Sequence, residues 1–248
     1  MKLRALPLLA LLPLAACTLN LRQVQDPPRS LAIPTAHPWS SLVYLARTDS
    51  GVVVFDLGWT GAGRRLRRVL RQVGATPHEV RAVFLTHSHR DHVNAWREVR
   101  GARFHLTAVE APLFVGEARH RDLPSRVAER VFGRRGPRPG EVEVRPFGAD
   151  TAFAFGADTV RAFLLPGHTA GSAAYLFRSV LLVGDAIAYN HLTGFQGAKR
   201  IFTRDVQQSR ASLASLFGRV RPYEVRWVCN AHGKCARPDS AFVRKVTR

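Results

Sequence analysis

Lysine is almost absent from this 248-residue sequence. Lys2, Lys199, Lys234 and Lys245 are the only four among 37 basic residues, so the positive excess is arginine. Acidic residues are scarce as well, 18 in all, which leaves a formal net charge of +19. One reading is a polyanion partner, either nucleic acid or an anionic membrane surface. The other is an arginine-rich compositional bias with the side chains spread over solvated faces, and the even spread along the chain favours it. After residue 16 no apolar run reaches the ~20 residues that a spanning helix needs. There is no glycine-rich nucleotide loop and no low-complexity repeat.

The chain is long enough for one large domain or two small ones, and its 46% hydrophobic content is that of a globular protein. Cysteine is limited to Cys17, Cys229 and Cys235. Lys2 and Arg4 precede an apolar run from Ala5 to Ala16, too short to span a bilayer, which closes as Leu14-Ala15-Ala16-Cys17. This order resembles the lipobox of bacterial lipoproteins. The resemblance implies a signal peptide over 1–16, lipid attached to Cys17, and a chain exported to the bacterial cell envelope and tethered to its membrane. Oxidising surroundings would then let Cys229 and Cys235 pair; the alternative is two free thiols.

Residues 17–38 hold four prolines and little periodicity, which suggests a tether ahead of a domain spanning 39–248. Ser40–Arg47 and Gly51–Leu57 suggest a hairpin, and Arg64–Val73 has helical spacing of its apolar residues. Phe104–Thr107 suggests a strand, with His105 on it expected to be a satisfied structural histidine. Segment 117–140 is irregular and carries seven arginines with His120. It suits either a flap over a site or a solvated insertion. Short strands return after Glu141. Ala186–Thr203 looks loop-rich, and Asp205 is a good cap for a helix running to Arg219.

One stretch carries the chemistry. The apolar run Arg81–Leu85 is followed by Thr86-His87-Ser88-His89-Arg90-Asp91-His92. His87 and His89, two apart in extended backbone, point the same way. The chain then turns, so Asp91 and His92 take another heading, and one loop can begin two adjacent metal sites. Imidazole and carboxylate together suit zinc, with iron and manganese as alternatives. Three later strand ends repeat the pattern: Pro166-Gly167-His168-Thr169, Gly184-Asp185, and Asn230-Ala231-His232-Gly233.

In this combination and order the residues resemble the metallo-β-lactamase superfamily, from Ser40 to Gly233. The resemblance implies an α/β fold, a four-layer αββα sandwich with metals at one edge of its two sheets. It implies two divalent ions, the first on His87, His89 and His168, the second on Asp91, His92 and His232, with Asp185 and a hydroxide bridging them. Such a pair attacks a carbonyl or phosphoryl centre without a side-chain nucleophile, and Asp91 would orient the hydroxide or carry a proton. Asp185 shifts the expectation from β-lactamases, which usually lack it, toward glyoxalase II-like thioesterases, lactonases and RNA-processing relatives. Glyoxalase II adds a C-terminal helical domain, whereas this sequence ends 16 residues after His232. Lactonases carry a tyrosine three residues after the bridging aspartate; here Tyr189 is four after it. The expected activity is hydrolysis of a carboxylic ester, thioester or lactone, the alternatives being a phosphodiesterase or nuclease and a non-catalytic binding module. Trp59, Tyr189 and His191 are candidates for contact with a small-molecule substrate.

Overall fold

The computed structural model describes residues 18–23, 29–34, 41–59, 61–120, 123–133 and 136–248. The first seven strands form one sheet: β1 (Thr18–Gln23), β2 (Arg29–Pro34), β3 (Val43–Thr48), β4 (Gly51–Phe55), β5 (Val80–Phe84), β6 (Arg103–Thr107) and β7 (Glu143–Phe147), in the order β2-β1-β3-β4-β5-β6-β7. A second sheet holds β8 (Thr151–Phe155), β9 (Asp158–Leu164), β10 (Ala173–Phe177) and β11 (Val180–Leu182). Strands β12 (Ile187–Asn190) and β13 (Gly194–Gly197) pair as a separate hairpin. The second sheet is completed by β14 (Trp227–Cys229) and β15 (Cys235–Ala236), in the order β15-β14-β11-β10-β9-β8. The helices are α1 (Ala62–Gln72), α2 (Arg90–Val93), α3 (Ala111–Val115), α4 (Leu123–Phe132), α5 (Val206–Arg219) and α6 (Ser240–Thr247).

Alternation in the strands separates three apolar layers. In β4, Val52 and Val54 face the helix side, where Leu66, Val69 and Leu70 of α1 cover them. Val53 and Phe55 face the other sheet and meet Tyr175 and Phe177 of β10. On the far side Leu213 and Leu216 of α5 and Val246 of α6 pack on Leu176, Leu181 and Val228. The period of two along each strand thus produces helix, sheet, sheet and helix. This is the αββα sandwich expected from the motif order.

Direction places the loops. β4, β5 and β6 are parallel. In the second sheet β9 and β11 both run antiparallel to β10, and β14 is parallel to β11. The histidine- and aspartate-bearing turns therefore leave the ends of β5, β9, β11 and β14.

Three expectations change, and one open alternative, the pairing of the two later cysteines, closes. Segment 17–38 is not a plain tether: β1 and β2 form a hairpin, and β1 pairs in parallel with β3, extending the sheet. The alternating Leu19, Leu21, Leu31 and Ile33 suit strands, and the four prolines drew attention from them. Cys17 and the 1–16 run lie outside the described residues. The 186–203 stretch contains the β12–β13 hairpin rather than open loop. Cys229 and Cys235 face each other across β14 and β15 and are joined in a disulfide. Finally, His105 is buried and stacked on Phe84 with ring centroids 4.8 Å apart, but its Nδ1 has no hydrogen-bond partner. Burial first, then Arg103 and Arg145, push its pKa down to about 4, so it packs as a neutral aromatic plate.

Candidate metal centre

Beyond Phe84 the chain leaves β5 and runs without regular structure until α2 opens at Arg90. His89 is the extended residue before that helix, so His87 and His89 lie ahead of the turn, and Asp91 and His92 on its far side. His168 follows β9, Asp185 follows β11, and His232 follows β14. All seven converge. His168 Nε2 lies 3.2 Å from both His87 Nε2 and His89 Nδ1. Three nitrogens bound to one zinc at its usual bond length would be separated by about 3.3 Å. On the other side, Asp91 Oδ2 is 3.6 Å from His92 Nε2 and 3.4 Å from His232 Nε2.

Asp185 lies between the two groups. Its Oδ1 is 3.5 Å from His92 Nε2 and 3.2 Å from His232 Nε2, while Oδ2 is 3.3 Å from His232 Nε2 and 3.7 Å from His168 Nε2. Three overlapping triads result: His87, His89 and His168; His87, His92 and Asp185; Asp91, His92 and His232. In each, the ligand atoms lie within 4.8 Å of one another. The donor set fits divalent cations. His92 Nε2 and Asp185 Oδ1 are buried with no hydrogen-bond partner, and burying such atoms unsatisfied is costly unless something else engages them. Several imidazole lone pairs aimed at one point are satisfied together only by a cation.

The protonation pattern has the same origin. Burial drives His87 well below the usual histidine pKa, and the neighbouring imidazoles add to this. Burial likewise takes His168 down to about 3, although Asp185 opposes the shift. For His92 burial also opposes the charge, yet Asp56, Asp91 and Asp185 outweigh it and raise the pKa to about 10. Burial would raise Asp185, but His232 and His92 hold its carboxyl well below the usual range. Without a cation, the imidazolium of His92 is the positive charge that this pocket of carboxylates requires.

Comparison with known proteins agrees with this geometry. The family model described as the metallo-beta-lactamase superfamily matches residues 36–232. The chain belongs to the metallo-β-lactamase superfamily. It is 27% identical over 157 residues to a protein of Bacillus subtilis (strain 168) named probable metallo-hydrolase YqgX, a match covering 60% of this chain and 67% of that one. It is 26% identical over 154 residues to a hydroxyacylglutathione hydrolase of Bartonella henselae, covering 58% of this chain but only 51% of the relative. Among solved structures, the BLEG-1 B3 metallo-β-lactamase matches with a TM-score of 0.60 at 23% identity, over 79% of this chain and 88% of that one. At that identity the likeness shows the fold. The family and its relatives support a metal-dependent hydrolase.

In this superfamily member Trp59 and Tyr189 contact chain neighbours of the seven residues, Arg90 and Lys234, and His191 packs on Tyr189. Trp59 carries the Arg90 guanidinium over its ring, 4.9 Å from the centroid. Tyr189 sits on β12, with His191 and Phe195 rings 5.4 and 5.1 Å away and the Lys234 ammonium 5.5 Å above its ring. His191 itself is exposed at the hairpin's turn. The described part of segment 117–140 touches the first histidine loop at two points. The Arg90 guanidinium donates to the Gly133 carbonyl, and buried His120 has its ring 5.1 Å from that of His89. These contacts attach the segment beside the first histidine loop, while Arg119, Arg126, Arg130 and Arg138 stay exposed.

Three further residues matter: Asp56 and Glu110, which the sequence does not single out, and His120, which it offers only as part of segment 117–140. Asp56, at the end of β4, accepts from Thr86 N and His92 Nδ1, both at 2.8 Å, and so fixes which His92 nitrogen faces the cluster. It had a signal: a carboxylate directly after an apolar strand, as at Asp185. Glu110 is fully buried and accepts from Ser88 N at 2.8 Å, from Ser88 Oγ, and from Thr169 Oγ1 at 2.6 Å. It ties the first histidine loop to the His168 turn. His120 lies 3.4 Å from Ser88 Oγ and 4.0 Å from Glu129. Neither Glu110 nor His120 has a sequence pattern, because their partners are distant in the chain.

Proposed function

We propose that the protein is a dinuclear zinc hydrolase that cleaves a carboxylic ester, thioester or lactone. The observation that carries this reading is Asp185, whose two oxygens reach toward His168 on one side and His92 and His232 on the other. One ion would be held by His87, His89 and His168, a second by Asp91, His92 and His232, with Asp185 shared. Mixed imidazole and carboxylate donors favour zinc over the harder cations. When bound, such ions polarise a scissile carbonyl and lower the pKa of water.

The chain's own residues do the rest. The Asp56 contact keeps the His92 Nε2 lone pair turned inward, Thr86 Oγ1 sits 3.1 Å from His87 Nδ1, and Thr203 Oγ1 sits 3.4 Å from His168 Nδ1. These contacts fix ring orientation. Asp91 is a half-buried carboxylate at the edge of the second triad, so it can pass a proton between the reacting atoms and solvent. Trp59 and segment 117–140, acting as a flap, form the adjoining wall and bound the substrate, with Tyr189 and His191 the candidates on the β12–β13 side. The hydroxyacylglutathione hydrolase relative supports the thioester class. Export and a lipid on Cys17 belong to the same reading and rest on the order of charge, apolar run and small residues; radiolabelled fatty acid in wild type and not in Cys17→Ser tests them.

Purified protein carrying Cys17→Ser, with its metal content measured, should hydrolyse aryl esters, acyl-thioesters or lactones and lose activity to a chelator. Turnover of a bis-aryl phosphate alone would replace this reading with a phosphodiesterase. Metal content below one ion per chain with no turnover would point to a binding module.

A further inference from the structure

Among the described residues, the large apolar side chains that remain exposed are concentrated at one end of the molecule, Tyr223 at 36% being the exception. Val109, Val127, Val131, Leu192, Ile201 and Phe202 all lie on segments at the metal end of the sandwich. Val109 follows β6, beside the buried Glu110 that binds Ser88. Val127 and Val131 are on α4, four residues apart and hence on one helical face. Glu129, two residues from each, is the one near His120, so the valines look away from the molecule. Leu192 tops the hairpin that follows Asp185 and is 94% exposed. Ile201, 73% exposed, and Phe202 precede Thr203 and Arg204, which contact His168. Exposed Arg126, Arg130, Lys199, Arg200 and Arg204 alternate with them.

The N-terminal strand leads to the same end. β3 enters from the metal side, where Leu42 N donates to the Ala231 carbonyl and Ser41 Oγ donates to the Asp91 carbonyl. β1 is parallel to β3, with Leu21 opposite Val43. Thr18 therefore begins β1 about 10 Å beyond the level of Val43, on the metal side. Cys17, the candidate for lipidation, is the residue before it. Among the described residues no helix is long and apolar enough to cross a membrane.

We infer that the metal end of the sandwich is a docking face for an anionic lipid bilayer. Aliphatic side chains interleaved with arginine and lysine match acyl chains beneath acidic headgroups. A nucleic acid would match the cations but would gain nothing from exposed leucine and isoleucine. This inference concerns the surface alone and stands whatever ester or thioester the site cleaves.

The test uses the full chain with Cys17→Ser, so that one introduced cysteine is the only free thiol beside the Cys229–Cys235 disulfide. An environment-sensitive fluorophore is placed by Leu192→Cys, Val131→Cys or, as a control, Tyr223→Cys. Tyr223 lies beyond the far end of α5. Vesicles of phosphatidylglycerol with phosphatidylcholine should blue-shift the probes at 192 and 131 and raise their emission about threefold. Vesicles of phosphatidylcholine alone, or high salt, should give much less, and the probe at 223 should not respond. Because the N-terminal apolar run also leads to the metal end, the same three probes are measured in the chain without residues 1–16, and loss of the response at 192 and 131 there would overturn the inference. Sedimentation with vesicles without a response at 192 and 131, an equal response at 223, no association at all, or an equal response to duplex DNA would each overturn the inference.

Discussion

His92 shows how one position can carry two charges' worth of consequence. Its pKa of about 10 means that the imidazole is protonated at neutral pH, because the carboxylates of Asp56, Asp91 and Asp185 outweigh its burial beside the rings of His87 and His232. That charge stabilises the metal-free fold fully below the ordinary histidine pKa of about 6.5, and the stabilisation is lost as pH rises through about 10. A metal ligand must be neutral, so ion binding has to expel this proton. Calorimetric titration with zinc in buffers of different ionisation enthalpy should show net proton release at pH 7, with affinity still rising toward pH 9. No buffer dependence would refute the assignment of His92. The partner residue gives a second prediction. Asp56→Asn keeps the size of the side chain but removes the charge that orients His92, and zinc affinity should fall by about 10- to 100-fold in a chelator competition. At this scale the seven clustered residues were legible, because each directly follows an apolar strand. Asp56 follows the same rule, yet a lone aspartate two residues before Gly58 reads equally well as the start of a turn.

Elements position these residues through turns, two of which, at Gly167 and Gly184, leave no room for a side chain. Gly167 has φ +139°, and a Cβ there would come within 2.3 Å of the Ser209 backbone in the first turn of α5. That turn is capped by Asp205, whose side chain accepts from Gln208 N at 2.9 Å, and whose own N donates to the Gly167 carbonyl at 3.0 Å. Gly167→Ala should therefore push α5 away from the His168 turn, costing about 3 kcal/mol and lowering zinc content. Gly218 lies in the same helix with open space around it, and Gly218→Ala should instead stabilise by about 0.5–1 kcal/mol. Equal thermal melts for the two variants would show that the contact at Gly167 is not the constraint. The long α5 was legible because its cap and apolar face are both local signals. The β12–β13 hairpin was not: its short strands, Ile-Ala-Tyr-Asn and Gly-Phe-Gln-Gly, carry little alternation, and pairing rather than propensity holds them. The β1–β2 hairpin was missed for the opposite reason, since alternating leucines were present and proline content outweighed them in the reading.

The molecule as a whole makes the site a seam between its two sheets. His87, His89, Asp91 and His92 leave the first sheet, and His168, Asp185 and His232 leave the second, with Phe55, Phe84, Tyr175 and Phe177 packed between. The family resemblance of the motifs, in their order along the chain, implied this arrangement, and the structure supplies the cause, since parallel strand direction sends these turns to one edge; the sheet-edge hairpin and the attachment of segment 117–140 needed the folded chain. Ions binding the seam bind the folded state and not the unfolded one, so they must stabilise the fold by mass action. Free zinc at about 100 times its Kd should add about 2.7 kcal/mol, equivalent to a rise in melting temperature of roughly 5–11 °C for a domain of this size. A chelator should reverse the rise. His89→Ala removes one nitrogen of the first triad while leaving the apolar layers intact, so the variant should fold with a metal-free melting temperature close to that of the wild type. Its zinc-induced rise should be smaller, because one ion loses a ligand while the triad of Asp91, His92 and His232 remains. A full wild-type rise in this variant would mean that the stabilising ion sits elsewhere and that the convergence of the two sheets' turns is not what holds it.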